Sequence, residues 1–274
     1  MNALQSLQQR YGPGEGRALY ELIMQHRFGL SRADILLGKD TTLSADDKAE
    51  LQIIVDRVSK GEPVQYVLGG EEFCGREFLV CPDVLIPRPE TQQLVQLVLQ
   101  HLTLGSSVLD IGTGSGCIAV TLALAGYQVA AMDVSEKALD IARLNAKRLG
   151  AEVEFVKQDI IEDIIENEDN SSFDCIVSNP PYICEKEAAE MEENVLLHEP
   201  HLALFVPDDN PLLFYRAIAD YGQLHLKNNG WLFFETNRTY TKQVSELLLQ
   251  KGYKNVQTFK DQYDNERFAC ARKQ

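Results

Sequence analysis

The sequence predicts an α/β protein whose sheet is mainly parallel, with a small helical region in front of it. From about residue 91 onwards, short apolar runs alternate with helical patterns, which is the order of elements in a parallel sheet covered by helices on both faces. The first 60 residues, by contrast, show helical periodicity. The two patterns meet at a stretch rich in glycine and proline, which indicates a change of structure there.

Composition sets limits on the class of protein. A chain of 274 residues, 45% of them hydrophobic, can bury a full core. Its 41 acidic and 26 basic residues give a formal net charge of -15, which would repel a polyphosphate backbone. The six cysteines are irregularly spaced without a Cys-x-x-Cys pair, and the first residues lack a signal pattern. We therefore expect a monomeric cytoplasmic enzyme that binds neither nucleic acid nor membranes.

The helical region is expected to form a domain over residues 1–62. Ser44 and Asp47 have the spacing of a capping box, which marks a helix start. The apolar residues that follow recur at helical spacing: Leu51, Ile54, Val55 and Val58.

A linker is expected over residues 63–90. Gly69-Gly70 and Gly75 interrupt apolar and aromatic residues between Tyr66 and Val80, as they would in a β-hairpin. The rigid stretch Ile86-Pro87-Arg88-Pro89-Glu90-Thr91 then leads into the third region, residues 91–274.

The third region contains the predicted sheet. Its expected strands are Val108–Ile111, Gln128–Met132, Val153–Val156, Cys175–Ser178 and Trp231–Phe234. Its best-marked helices are Ser115–Ala125 and Ser135–Leu149, the second ended by Gly150. Two β-prone runs near the end, Val256–Phe259 and Arg267–Cys270, are expected to close the sheet as an antiparallel pair.

A glycine-rich loop between the first strand and helix indicates a cofactor site. Gly112, Thr113, Gly114, Ser115 and Gly116 place bare backbone at a helix N-terminus, where a ligand can approach closely. A dinucleotide fingerprint would need a third glycine where Cys117 stands. A turn that merely joins strand to helix is the structural alternative.

Four residues around this loop suit S-adenosylmethionine better than a dinucleotide. Asp110 would disfavour a pyrophosphate but suits the ammonium of the methionine moiety. Asp133, at the end of the second strand, can accept hydrogen bonds from ribose hydroxyls. Asp159 could accept from the adenine amino group, and Ile160 could pack against the base.

The tetrapeptide Asn179-Pro180-Pro181-Tyr182 is the predicted catalytic and substrate-binding site. It follows a strand, at the sheet edge where α/β proteins bind ligands. An amide nitrogen is a poor nucleophile, so its hydrogens must be held while its lone pair faces the methyl donor. The Asn179 carbonyl and the Pro180 backbone carbonyl can hold them, and Tyr182 can stack on a planar group. The pattern predicts a methyltransferase acting on an amide or amine nitrogen.

Other candidates carry weaker signals. His198 and His201 could bind a metal, but a surface loop is the preferred interpretation and no metal is expected. Arg88 and Glu90 could lie near the site or only fix the linker. The acidic run over residues 160–169 is expected to be a solvated loop face. Cys175 and Cys184 flank the tetrapeptide, and packing is their expected role.

These motifs make the sequence similar to the HemK-like peptide-chain release factor glutamine methyltransferases over nearly its whole length. Besides the glycine loop and the tetrapeptide, the resemblance rests on the segments Gly61–Tyr66, Phe73–Gly75 with Phe78, Val84–Thr91, and Glu199-Pro200 with Ala203-Leu204.

The resemblance implies a class I S-adenosylmethionine-dependent methyltransferase fold, Rossmann-like, with an N-terminal helical domain that engages the partner. It further implies N5-methylation of the glutamine in the Gly-Gly-Gln motif of class I release factors, with S-adenosylhomocysteine as the product. Gly112–Gly116, Asp133 and Ile160 would bind cofactor, and Asn179–Tyr182, with Asn179 also near the cofactor, would hold the amide. The sequence departs from the family at Gln92, at Pro207–Pro211 and at Thr236.

Besides a methyltransferase that acts on a small molecule, which the helical region and the hairpin make less favoured than one with a macromolecular partner, two alternatives remain at this point. The same tetrapeptide could hold an adenine amino group flipped out of DNA, but an adenine-N6 DNA methyltransferase should carry a basic surface and a target-recognition domain. A catalytically idle cofactor-binding or docking module is the other, and the intact Asn179 argues against it.

Overall fold

The computed structural model describes residues 2–162 and 172–274, which form two compact units. One comprises Met1–Gly70 together with Glu192–His198, and the other comprises Glu71–Met191 together with Glu199–Gln274. The predicted acidic loop falls partly outside the described residues, from position 163 onwards.

The helices and strands follow one another in the order that the patterns predict. The helices are α1 (Ala3–Tyr11), α2 (Pro13–Phe28), α3 (Arg32–Leu36), α4 (Ala45–Ser59), α5 (Val64–Leu68), α6 (Pro89–His101), α7 (Cys117–Leu124), α8 (Glu136–Leu149), α9 (Glu193–His198), α10 (Leu213–His225) and α11 (Thr241–Gln250). The strands are β1 (Gly70–Phe73), β2 (Arg76–Leu79), β3 (Ser107–Ile111), β4 (Gln128–Asp133), β5 (Val153–Lys157), β6 (Phe173–Ser178), β7 (Ile183–Cys184), β8 (Phe205–Val206), β9 (Leu226–Glu235), β10 (Lys254–Lys260) and β11 (Glu266–Arg272).

The helical unit has its own core, built as the sequence pattern predicts. The Ser44 hydroxyl caps α4 by accepting from the Asp47 amide at 3.1 Å. The four predicted apolar residues of α4 are buried against α1 and α2. Helix α9 belongs to this unit, where Arg10 pairs with Glu193 at 3.3 Å, an association that no sequence pattern indicated.

The larger unit is built on one twisted sheet with the strand order β10-β11-β9-β6-β3-β4-β5. Strands β9, β6, β3, β4 and β5 pair in parallel, and β11 runs antiparallel to both of its neighbours. The prediction of a mainly parallel sheet closed by antiparallel strands is confirmed. A separate hairpin of β1 and β2 precedes it.

Helices cover both faces of the sheet because successive strand residues point to opposite sides. Val108 and Val177 pack under α6 and α7, whereas Leu109 and Ile176 face α10 and α11. With both faces buried, the strands can be apolar throughout, which is why they read as continuous hydrophobic runs.

The three departures from the family pattern each have a structural role. The Gln92 side chain accepts from the Cys74 amide at 3.1 Å and so ties α6 to the hairpin. In the segment 207–211, Asn210 N donates to the Pro207 carbonyl at 3.0 Å, closing a turn without glycine. Thr236 is fully buried, and its hydroxyl bonds to that of Thr241 at 2.7 Å.

Candidate active site

A cavity of about 280 Å³ lies at the carboxyl ends of β3, β4 and β6. This volume is close to the lower end of the range for small-molecule sites, about 300 Å³. The predicted residues that line it are Gly112, Gly114, Asp133, Asp159, Ile160, Asn179, Pro180 and Pro181. The structure therefore brings the glycine loop and the tetrapeptide to one site, although Gly116 and Asn179 are 63 positions apart in the chain.

The glycine loop needs its glycines for conformation and for space. Gly112 and Thr113 both donate to the Met132 carbonyl, at 2.9 and 3.0 Å, which holds the loop against β4. Gly112, Gly114 and Gly116 all have positive φ. A Cβ on Gly116 would lie 3.0 Å from that of Ala142, so this glycine also lets α8 approach. Helix α7 accordingly begins at Cys117, two residues later than predicted.

Asp110 lies beneath the loop and does not line the cavity. It is fully buried, and its Oδ2 accepts from the Thr113 hydroxyl at 2.7 Å and from the Ala119 amide at 3.2 Å. The carboxylate therefore accepts from a free amide in the first turn of α7, where the N-cap residue Gly116 has no side chain to do so. Burial raises the pKa of Asp110 to about 7. Oδ1 is buried and has no partner among the described residues.

Asp133 is the carboxylate that faces the cavity from β4. Its two oxygens accept from the amides of Gly114 and Ser135, both at 2.9 Å. Burial raises the pKa of Asp133, and the two amide bonds oppose that rise. Each oxygen keeps a second lone pair, so the fixed carboxylate can accept further hydrogen bonds from a ligand.

Asp159 and Ile160 lie farther along the same cavity, after β5. The Asp159 Oδ1 accepts from the Ile161 amide at 2.8 Å, which fixes the side chain. Ile160 is buried and contributes apolar wall. An acceptor beside an apolar surface suits a flat heterocycle with an exocyclic amine.

The tetrapeptide is held from behind by a chain of hydrogen bonds. Asn179 Nδ2 donates to Thr91 Oγ1 at 3.1 Å, and Thr91 donates to Glu235 Oε2 at 2.7 Å. The Tyr182 hydroxyl donates to Glu235 Oε1 at 3.2 Å, and Tyr182 does not line the cavity. Thr113, Ser115 and Gly116 are likewise in the loop without lining the cavity.

Sequence reasoning missed several residues that shape the site. Thr91 and Glu235 come from the start of α6 and the end of β9, and only their polar character at strand and helix ends signalled a role. Asn145 on α8 is fully buried and donates to the carbonyls of Ser115 at 2.9 Å and Leu79 at 3.0 Å. An asparagine within a helical pattern gave no sign of this.

The structure also shows the contacts of the residues that carried weaker sequence signals. Arg88 pairs with the buried Glu199 at 2.5 Å, and Glu199 accepts from the Ile86 amide at 3.2 Å, so Arg88 anchors a segment at the cavity rim. Cys175 is packed in the core, and Cys184 is buried with its sulfur 3.4 Å from the Tyr240 hydroxyl.

Glu90 belongs to the first turn of α6, and its charge acts unfavourably on the nearby Glu235. The His201 ring packs edge-on against Phe205. Within residues 2–162 and 172–274, neither a metal-binding group of three or more His, Cys, Asp or Glu nor a helix suited to crossing a membrane is found.

The strand order, the glycine loop after β3 and the Asn-Pro-Pro-Tyr segment after β6 define a class I S-adenosylmethionine-dependent methyltransferase. A methyltransferase of Pyrococcus furiosus has this fold, with a TM-score of 0.55 and 18% identity over 84% of this chain and 99% of its own. A Thermus thermophilus 16S rRNA N2 G1207 methyltransferase, solved with AdoMet and guanosine, gives a TM-score of 0.54 at 20% identity over 75% of this chain and 50% of its own.

Sequence comparison identifies the particular family. The chain matches the PrmC N-terminal domain over residues 1–69 and the methyltransferase small domain over residues 90–204. It is 47% identical to a release factor glutamine methyltransferase of Bacteroides thetaiotaomicron over 97% of this chain and 96% of that protein. A Bacillus subtilis protein of the same name is 39% identical, over 92% and 89%. The chain belongs to the release factor glutamine methyltransferase family.

Proposed function

We propose that this enzyme methylates the side-chain amide nitrogen, N5, of the glutamine in the Gly-Gly-Gln motif of class I peptide chain release factors. The observation that carries the proposal is the position of Asn179 on the wall of the same cavity as the glycine loop. Family membership supports the choice of acceptor, because relatives that match over nearly the whole chain are named for glutamine methylation of release factors.

The cavity residues suit S-adenosylmethionine along its length. Asp133 would accept from the ribose hydroxyls, Asp159 would accept from the adenine amine, and Ile160 would pack on the base. Gly112 and Gly114 would allow the backbone to approach the ligand. Asp110 lies beneath the loop and not on the cavity wall, but its buried Oδ1 lacks a donor among the described residues, which costs about 1–3 kcal/mol and which an ammonium bound against the loop would offset.

Thr113, Ser115 and Gly116 would act by shaping the loop rather than by touching the ligand. When bound, S-adenosylmethionine supplies a methyl group activated by its sulfonium, and S-adenosylhomocysteine is the product.

The protein's part at the acceptor is to orient an amide. Asn179 would accept one amide hydrogen through Oδ1, and the Pro180 carbonyl would accept the other, which directs the nitrogen lone pair toward the methyl donor. The two prolines restrict the backbone, so little conformational entropy is lost on binding. The Tyr182 ring would stack on the amide, with its hydroxyl anchored to Glu235. The proton leaves after transfer, when the nitrogen is cationic, so no general base is required beforehand.

The proposal also covers the binding of the protein partner and the location of the enzyme. We assign residues 1–62 to docking of the release factor, 63–90 to a linker and 91–274 to catalysis. The net charge of -15 supports a basic protein partner over nucleic acid or a membrane surface. A monomer in the cytoplasm is the expected working form.

The test is a mass-spectrometric methylation assay with purified class I release factors. Wild-type factor and a variant with the motif glutamine replaced would be incubated with S-adenosylmethionine and enzyme, beside duplex DNA as a competing acceptor. A gain of one methyl group on that glutamine, absent from the replaced variant, is the expected result. Methyl incorporation into DNA alone would refute the proposal and support the adenine-N6 alternative.

A further inference from the structure

Two buried polar side chains lie behind Asn179, and neither has yet been given a part in orienting its side chain. Thr91 is 3% exposed and Glu235 is 1% exposed. They come from α6 and β9, and they join Asn179 and Tyr182 through one hydrogen-bonded chain. A buried carboxylate is costly to keep, so its presence at this position calls for a physical reason.

The chain of bonds has a direction. An ionised carboxylate can only accept, so the Thr91 and Tyr182 hydroxyls both donate to Glu235. The single proton of the Thr91 hydroxyl is then used, and its oxygen can only accept from Asn179. Asn179 must therefore present Nδ2 to Thr91, which turns Oδ1 away from it. In the part of the chain that the structure describes, no group bonds to that oxygen.

We propose that Thr91 and Glu235 are positioning residues that fix Asn179 as a hydrogen-bond acceptor for the substrate amide. The inference rests on the proposed function, because a glutamine amide nitrogen offers two hydrogens and needs acceptors. The Glu235 carboxylate fixes the orientation of the Thr91 hydroxyl, and Thr91 in turn fixes the orientation of the Asn179 amide. Asn179 then presents Oδ1 to the substrate amide.

Replacing one acceptor oxygen of Glu235 by a donor shows how the orientation of Asn179 depends on this side chain. In Glu235→Gln, a donor nitrogen replaces one acceptor oxygen without a change of shape. If that nitrogen faces Thr91, the threonine proton turns to Asn179, whose amide must then rotate and present Nδ2 to the substrate. A donor would oppose a donor at the reacting nitrogen. A nitrogen facing Tyr182 instead would keep the Thr91 bond in its original direction, because the Tyr182 hydroxyl can accept as well as donate.

Burial opposes the charge of Glu235 most strongly and raises its pKa, and Glu90 acts in the same direction. The hydrogen bonds from Thr91 and Tyr182 and the charge of Arg267 favour the ionised form, in which both side-chain oxygens only accept. Tyr215 donates to the backbone carbonyl of Glu235 at 3.3 Å and so leaves both side-chain oxygens to Thr91 and Tyr182.

The test compares the kinetics of three variants on a class I release factor. Thr91→Val should lower kcat by about 100-fold, the usual cost of a misplaced reacting group, and Glu235→Gln should lower it by a smaller factor, because only one of its two amide orientations reverses the Thr91 bond. Their KM for S-adenosylmethionine and their Tm should change little. Thr91→Ser keeps the hydroxyl and should recover most of the activity that Thr91→Val loses.

Thr121 provides the matched control. It is also a buried threonine, but its hydroxyl has no partner among the described residues, so Thr121→Val should leave kcat unchanged. Equal activity of Thr91→Val and Thr91→Ser, or a loss in Glu235→Gln that follows a loss of cofactor binding and Tm, would overturn the inference. Wild-type enzyme that fails to methylate any release factor would instead overturn the proposed function, and this inference with it.

Discussion

Replacing Asp110 by asparagine should stabilise the ligand-free protein at alkaline pH and weaken its binding of S-adenosylmethionine. Asp110 is fully buried, and burial raises its pKa from 3.8 to about 7. A difference of about three pH units corresponds to about 4 kcal/mol of free energy of unfolding, at about 1.36 kcal/mol per unit. Asparagine avoids this ionisation cost, and its carbonyl can still accept from Thr113 and Ala119. Its Nδ2 would replace the unpartnered Oδ1 and add a smaller cost that does not depend on pH.

The sign of the pH dependence follows from proton binding. With its pKa raised by folding, Asp110 holds a proton more tightly in the folded than in the unfolded chain. Its destabilising effect is therefore small below pH 4, grows as the unfolded chain ionises, and levels off above pH 7. The stability advantage of Asp110→Asn over wild type should grow through the same window.

Urea unfolding at pH 5 and pH 8 measures this effect. The advantage of Asp110→Asn should be about 2–3 kcal/mol larger at pH 8. Asp140→Asn is the control, because it removes the same formal charge from a side chain on α8 that is 69% exposed. An equal advantage at both pH values would refute the assignment of a buried, pKa-shifted carboxylate.

Calorimetric titration with S-adenosylmethionine tests the ligand role of Asp110. Loss of a charge-assisted hydrogen bond should weaken binding by about ten- to a hundredfold. Unchanged affinity would remove Asp110 from the set of cofactor-binding residues while leaving its part in holding α7.

Three further outcomes are expected. Gly116→Ala should lower the free energy of unfolding by about 1–2 kcal/mol more than Gly150→Ala in urea titrations, because both have positive φ but only Gly116 would meet Ala142; equal losses would contradict the packing argument. Arg88→Ala should cost about 3–5 kcal/mol by leaving the buried Glu199 carboxylate without its cation, and Glu199→Ala should cost less because the Arg88 side chain is 33% exposed and can be solvated; a small loss in thermal unfolding for Arg88→Ala would show that the pair is dispensable. Because burial raises the pKa of Glu235 to about 7, kcat should fall as the pH drops below 7, and Glu235→Gln should lose that limb of the profile; a limb that persists would have another origin.

Much of the fold could be predicted because local patterns and tertiary structure agree. Strands buried on both faces are apolar throughout, and helices end where glycine permits, as at Gly150. The ends of the helices and strands could be predicted less accurately. Strand β9 begins at Leu226 rather than near Trp231, because Leu226 pairs with Phe173 of β6 and an irregular stretch of residues without a strand signal lies between that pair and the pair of Trp231 with Cys175.

The candidate site divides in the same way. That Gly112, Gly114, Asp133 and Asn179 lie together could be predicted, because their positions after strands place them at one edge of the sheet. The role of Asp110 was only partly visible, since its burial beneath the loop depends on how α7 docks. Thr91 could not be connected to Asn179, because 88 positions separate them and nothing local links them.

The sequence alone determined the class of chemistry, since two short motifs carry residue types that suit a methyl donor and an amide. The tertiary structure decided the surroundings of those motifs: which carboxylates are buried, which backbone groups they accept from, and in which direction the hydrogen bonds behind Asn179 run. The physical reason is the distance along the chain over which the two kinds of interaction act. Backbone conformation and apolar periodicity are set by neighbours in the chain, whereas desolvation and hydrogen-bond direction are set by residues that only folding brings together.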